Sequence, residues 1–110
     1  MKKAKKERLK KAGWKLGSAK EFLGLSDEEA ALIEMKLALA KSLKDRRFAH
    51  DLTQDDLAKQ LGSSQSRVAK MEAADATVSM EFMVRALLVL GATPQEVGRI
   101  IRRKQATPAA

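Results

Sequence analysis

The hydrophobic positions of this chain recur every three to four residues along most of its length. Nowhere do they alternate long enough to suggest a strand. Leu32, Met35, Leu39 and Leu43, flanked by Ile33, Leu37 and Ala40, fall on one helical face. Ser26 and Glu29 open this segment at capping-box spacing, with Asp27 and Glu28 in the first turn, and it is expected to end near 47–49. A shorter helix is expected before it, from Ser18, spaced for a box with Glu21, to Leu23, and Gly24 ends it. Thr53 with Asp56 opens another through Leu57, Ala58 and Leu61, stopped by Gly62. Next comes a short helix with Val68 and Met71 facing inward, then "AADATVS", a loop. Ser79 caps a helix whose core face is Phe82, Met83, Ala86, Leu87 and Leu90, closed by Gly91. Thr93, Pro94 and Glu96 combine an N-cap, a first-turn proline and a box glutamate, and the last helix carries Val97, Ile100 and Ile101. The pattern predicts an all-α fold without sheet or internal repeat.

A length of 110 residues holds one domain with extensions. Expected divisions are an arm with a short helix at 1–25, a domain at 26–103 and a loose tail at 104–110. There is no cysteine, which excludes disulfides and thiolate zinc sites. No apolar run approaches the roughly 18 residues of a membrane span. The N-terminal lysines precede no apolar core of a secretory signal, so the expected location is the cytoplasm, at the nucleoid.

Charge is distributed unevenly. Residues 1–20 hold nine Lys or Arg and one acid, whereas residues 21–110 hold thirteen of each, so the whole net charge of +8 lies on the arm. Such an arm is either a solvated basic tail or a contact for nucleic acid or an acidic partner. No catalytic set is present. His50, the one histidine, sits in a charged linker. Asp55 and Asp56 read as a first-turn acid pair, and no phosphate-cradling loop or nucleophile elbow occurs. Neither an enzyme nor a cofactor nor a metal is expected.

Two short helices joined by a glycine turn, from Gln54 to about Ala73, have the layout of a helix-turn-helix. Three positions have the residue types that layout needs. Ala58 is small where the helices cross, Gly62 permits positive φ at the turn, and Val68 meets the core. The second helix begins with "SSQSR". Ser63 or Ser64 caps it, and its free N–H groups can face a phosphate. Gln65, Ser66 and Arg67 stand in its exposed first turn, with Lys70 one turn after Ser66. A glutamine amide pairs bidentately with adenine, and an arginine with guanine.

The stretch "LTQDDLAKQLGSSQSRVAKME" resembles the Cro/C1-type helix-turn-helix of the XRE family, which includes lambda-type phage repressors. The resemblance spans about 32–101 and implies a five-helix, lambda-repressor-like domain that binds operator DNA as a homodimer. It implies that Gln54 bonds a phosphate and braces the second helix, that Gln65 reads an adenine edge and that Ser66 contacts a base. It also implies that Arg47 and Glu72 form a structural ion pair. One departure stands out: where relatives carry a glycine and basic residues after the glutamate, this chain has "AADATVS" with Asp75. The basic arm at 2–20 is the expected substitute. "AGWKLGSAKEFLGLSDEEAALIEMKLALAKSL" is similar to the leader of HigA-like antitoxins, which implies autorepression and a RelE/ParE-type toxin partner. The alternatives are a phage-type or housekeeping regulator without a toxin, and an adaptor of the same fold that does not bind DNA. The dimer interface is expected on Val97, Ile100 and Ile101, with Ile33 second.

Overall fold

A computed structural model describes residues 21–102, and every regular element among them is helical. These are α1 (Asp27–Ala49), α2 (Gln54–Leu61), α3 (Gln65–Glu72), α4 (Met80–Val89) and α5 (Pro94–Arg102). The helix starts follow the capping signals. Glu29 N–H donates to Ser26 Oγ at 3.1 Å, and Ser26 N–H donates back to Glu29 Oε1 at 2.8 Å. Reciprocal boxes also open α2, through Thr53 and Asp56, and α5, through Thr93 and Glu96. Ser64 and Ser79 cap α3 and α4 by accepting from Arg67 N–H and Phe82 N–H. Each such cap satisfies donors that the first helical turn leaves without backbone partners.

Residues 21–23 are helical and end at Gly24, whose φ is +68°. The expected start of that helix at Ser18 lies outside the described residues, as do the basic arm and the tail.

Met35–Arg103 forms one compact unit. Its core combines Ala38, Leu39, Ala40 and Leu43 of α1 with Leu57, Ala58 and Leu61 of α2. Val68 and Met71 of α3, then Met83, Ala86, Leu87 and Leu90, complete its centre. Fully burying a Leu, Met or Val stabilises by about 1.5–3 kcal/mol. Seven side chains reach that state, Leu39, Leu43, Leu57, Val68, Met71, Met83 and Leu87, so every helix from α1 to α4 is anchored. Val78, in the loop before α4, is also buried and pins that loop to the core.

Three apolar positions differ from the sequence reading. Leu32 is 48% exposed, and of α1 before Ala38 only Ala30 is buried, outside the main cluster, so the buried stripe is shorter than its apolar pattern. Val97 and Ile100, expected at a dimer interface, are each only 7% exposed and close the core instead. An apolar face on a short terminal helix serves equally as core or as interface, and here the domain itself covers it. None of the described helices is long and apolar enough to cross a membrane.

Candidate nucleic-acid interface

The geometry of α2 and α3 follows from a few side chains. Ala58 is 1% exposed, and its single methyl lets the two helices approach closely. Gly62 has φ +66°, and the N–H of Ser63 closes the end of α2 on the Ala58 carbonyl at 2.8 Å. A residue with a β-carbon is strained in this left-handed conformation, so glycine suits the turn. Val68 and Met71, fully buried, then set the rotation of α3. At about 100° per residue, that rotation turns Ser66, Ala69, Lys70 and Ala73 outward. Ser66, Lys70 and Ala73 are exposed and Ala69 is half-buried. Two alanines on this strip keep it low enough for close approach by a surface.

Gln65 lies on one flank of the strip and ends a hydrogen-bonded relay. Arg47 donates through Nε and Nη2 to both carboxylate oxygens of Glu72, and through Nη1 to the Leu52 carbonyl at 2.8 Å. The two side chains are only 8% and 4% exposed. The Glu72 hydrogen bond holds the Arg47 guanidinium above its ordinary pKa despite the opposing effect of burial. Gln54 Nε2 also donates to Glu72 Oε1, at 3.1 Å. A carboxylate accepts only, so the amide of Gln54 must turn its nitrogen inward and its oxygen outward. That oxygen accepts from Gln65 Nε2 at 2.6 Å. Gln65 is thereby oriented in its turn. Its Oε1 and its second N–H remain for an outside partner, a donor and an acceptor side by side.

Arg67 lies on the opposite flank. Its guanidinium stacks over the Phe82 ring of α4, 4.5 Å from the centroid. Beside it Ser64, Ser66, Arg67, Lys70, Thr77 and Val78 line an open depression of about 350 Å³. The loop wall of this depression is held from behind. Lys36 Nζ donates to the carbonyls of Asp75 at 3.0 Å and Val78 at 2.6 Å. The Asp75 carboxylate faces its own loop, where Oδ1 accepts from Thr77 N–H at 2.8 Å and Thr77 Oγ1 at 2.6 Å. These two bonds, first that from the Thr77 hydroxyl, hold it below the usual carboxylate range.

The residues singled out from sequence therefore occupy two regions. Gln54, Gln65, Arg47 and Glu72 form one connected relay, whereas Ser64, Ser66, Arg67 and Lys70 share the depression. Ser63, half-buried, belongs to the turn, and Ser64 is the cap of α3. Sequence reasoning missed Lys36, Phe82 as a partner of Arg67, and Thr77. The spacing of Asp75 and Thr77 is a local turn signal that was available. Lys36 and Phe82 gave no such signal, because their partners lie 39, 42 and 15 positions away.

Residues 38–100, more than half of the chain, match the family model described as a helix-turn-helix domain. No curated protein matches the chain, and no solved structure does.

Proposed function

The chain belongs to the helix-turn-helix domain family, and from that premise we propose that it is a sequence-specific DNA-binding transcription regulator that acts as a repressor. The observation that carries this reading is the relay ending on Gln65. It leaves one acceptor and one donor facing out from the first turn of α3, the pair that an adenine edge complements through N6 and N7. Ser66 stands beside it on the outward strip, and Lys70 follows one turn later. In this reading Gln54 contacts a phosphate with its remaining N–H while bracing Gln65, and the N–H groups at the start of α3 favour an adjacent phosphate. Base contacts specify and phosphate contacts position.

One such domain reads a few base pairs, so we infer a homodimer on a two-fold operator. With Val97 and Ile100 committed to the core, Leu88 and Val89 of α4, 44% and 42% exposed, are apolar positions open to it, beside the half-buried Ile33 and Ile101 of the first expectation. The likeness of residues 12–43 to an antitoxin leader supports a finer reading, in which the operon also encodes a RelE/ParE-type toxin that this chain binds.

The test is a mobility shift on a fragment of the chain's own promoter beside a random duplex. Gln65→Ala should cost about 1–3 kcal/mol on the promoter and relax preference at one base pair. Equal losses on both duplexes would show that Gln65 does not read sequence. A wild-type chain that shifts neither duplex would favour an adaptor role. Co-purification with the product of a neighbouring small basic reading frame tests the toxin, and a regulator that elutes alone in its presence refutes it.

A further inference from the structure

Arg67 leans away from the outward strip of α3, on the flank opposite Gln65. It lies about 100° around the helix from Ser66, toward α4, and its guanidinium is stacked on Phe82. Phe82 is half-buried and packs against the core, so its ring is a fixed platform. A guanidinium over such a ring keeps its N–H groups, which lie in its own plane, free for an anion, while losing rotamer freedom. Those N–H groups lie at the depression shared with Lys70, the hydroxyls of Ser64, Ser66 and Thr77, and Val78. Asp75 lies within electrostatic reach of Lys70, and its carboxylate accepts from both the N–H and the O–H of Thr77 within its own loop. Two cations at one depression, whose Ser64, Ser66 and Thr77 hydroxyls bond within the chain, suit a charged oxyanion better than the edge of a base.

We propose that Phe82 is a positioning residue, and that through it Arg67, with Lys70, grips a backbone phosphate of DNA at the flank of α3. This rests on the DNA-binding reading above. It gives the chain a phosphate contact beside the loop 73–79, which has no lysine or arginine of its own. It also separates the roles of neighbours: Gln65 and Ser66 face bases, and Arg67 faces the strand that borders them.

The experiment is a set of anisotropy titrations of the full chain on its promoter fragment and on a random duplex, from about 50 to 200 mM salt. Arg67→Ala should weaken both duplexes by the same factor and make the slope of log K against log salt shallower by about 0.9, one phosphate. Phe82→Leu should weaken both by about two- to fivefold, the worth of an exposed cation–π contact, and Phe82→Tyr should restore binding. In the Arg67→Ala background, Phe82→Leu should have no further effect. The inference is overturned if Phe82→Leu weakens binding equally with and without Arg67, or if the Arg67→Ala loss falls on the promoter alone. Thermal melts establish that each variant is folded, and Phe82→Met replaces Phe82→Leu if the latter is not. A wild-type chain that binds neither duplex overturns the DNA-binding reading itself. Duplex binding with additive Phe82 and Arg67 effects overturns only this inference.

Discussion

Replacing Glu72 by alanine should be among the most damaging single changes outside the apolar core. Three hydrogen bonds end on its carboxylate, two from Arg47 and one from Gln54. Without it the Arg47 guanidinium, 8% exposed, keeps among the described residues the Leu52 carbonyl as its hydrogen-bond partner and the Phe48 ring beside it. Removing one member of a buried pair costs about 3–5 kcal/mol, because the other charge stays desolvated. The freed Gln54 amide is partly solvated and adds at most about 1 kcal/mol. We therefore expect Glu72→Ala to lose about 3–6 kcal/mol, against a total of about 5–15 kcal/mol for a typical domain. Urea unfolding followed by far-ultraviolet circular dichroism measures this directly. The paired substitution Arg47→Met with Glu72→Leu should recover most of the loss, since apolar replacement of a buried pair is close to neutral. A Glu72→Ala loss below about 1 kcal/mol, the worth of an exposed pair, would refute the reasoning. So would a double variant as unstable as the single one.

Gly62→Ala should cost about 1–2 kcal/mol by denaturant titration through backbone strain alone, because a β-carbon there meets nothing within 4 Å; Gly62→Asn should cost less, and equal losses would point to packing instead. Asp56 and Glu96 are held below the usual carboxylate range, chiefly by the N–H groups of Thr53 and Thr93. Their folded pKa values are depressed, so the stability they contribute is complete above the unfolded value near 4 and is lost as pH falls through the folded value. Thermal melts of Asp56→Asn and Glu96→Gln should accordingly decline less than wild type below about pH 4, and unchanged slopes would contradict this. Deleting residues 2–11 removes seven Lys or Arg together with Glu7. Affinity should then fall alike for all duplexes, and the salt slope should shrink by about 0.9 per lost phosphate contact, whereas an unchanged slope would assign the arm to another partner.

The fold was readable where its causes are local. Capping boxes at Ser26, Thr53 and Thr93 depend on residues three apart, and each forms as spaced. Ala58, Gly62 and Val68 marked the α2–α3 turn because size and φ tolerance are properties of a single residue. Legibility ended where a side chain has a choice of partners. Periodicity gives the apolar face of α5 but not what covers it, so Val97 and Ile100 read as interface and are core. Lys36 reads as one more solvated lysine, yet it holds two carbonyls that only the folded chain brings to it. Arg67 likewise gives no sign in sequence of the Phe82 ring that the folded chain places beneath it.

The relay from Arg47 through Glu72 and Gln54 to Gln65 bears on transplantation. Moving residues 65–72 alone into another helical scaffold would carry the letters without the syntax. Gln65 takes its orientation from an amide at the start of α2, which takes its own from a carboxylate clamped by the last turn of α1. The smallest portable unit therefore runs from Arg47 to Glu72, including Leu52, whose carbonyl completes the clamp on Arg47. Within that unit position 65 is open to exchange only for side chains that donate to the fixed outward oxygen of Gln54, so a change of target there begins with donors.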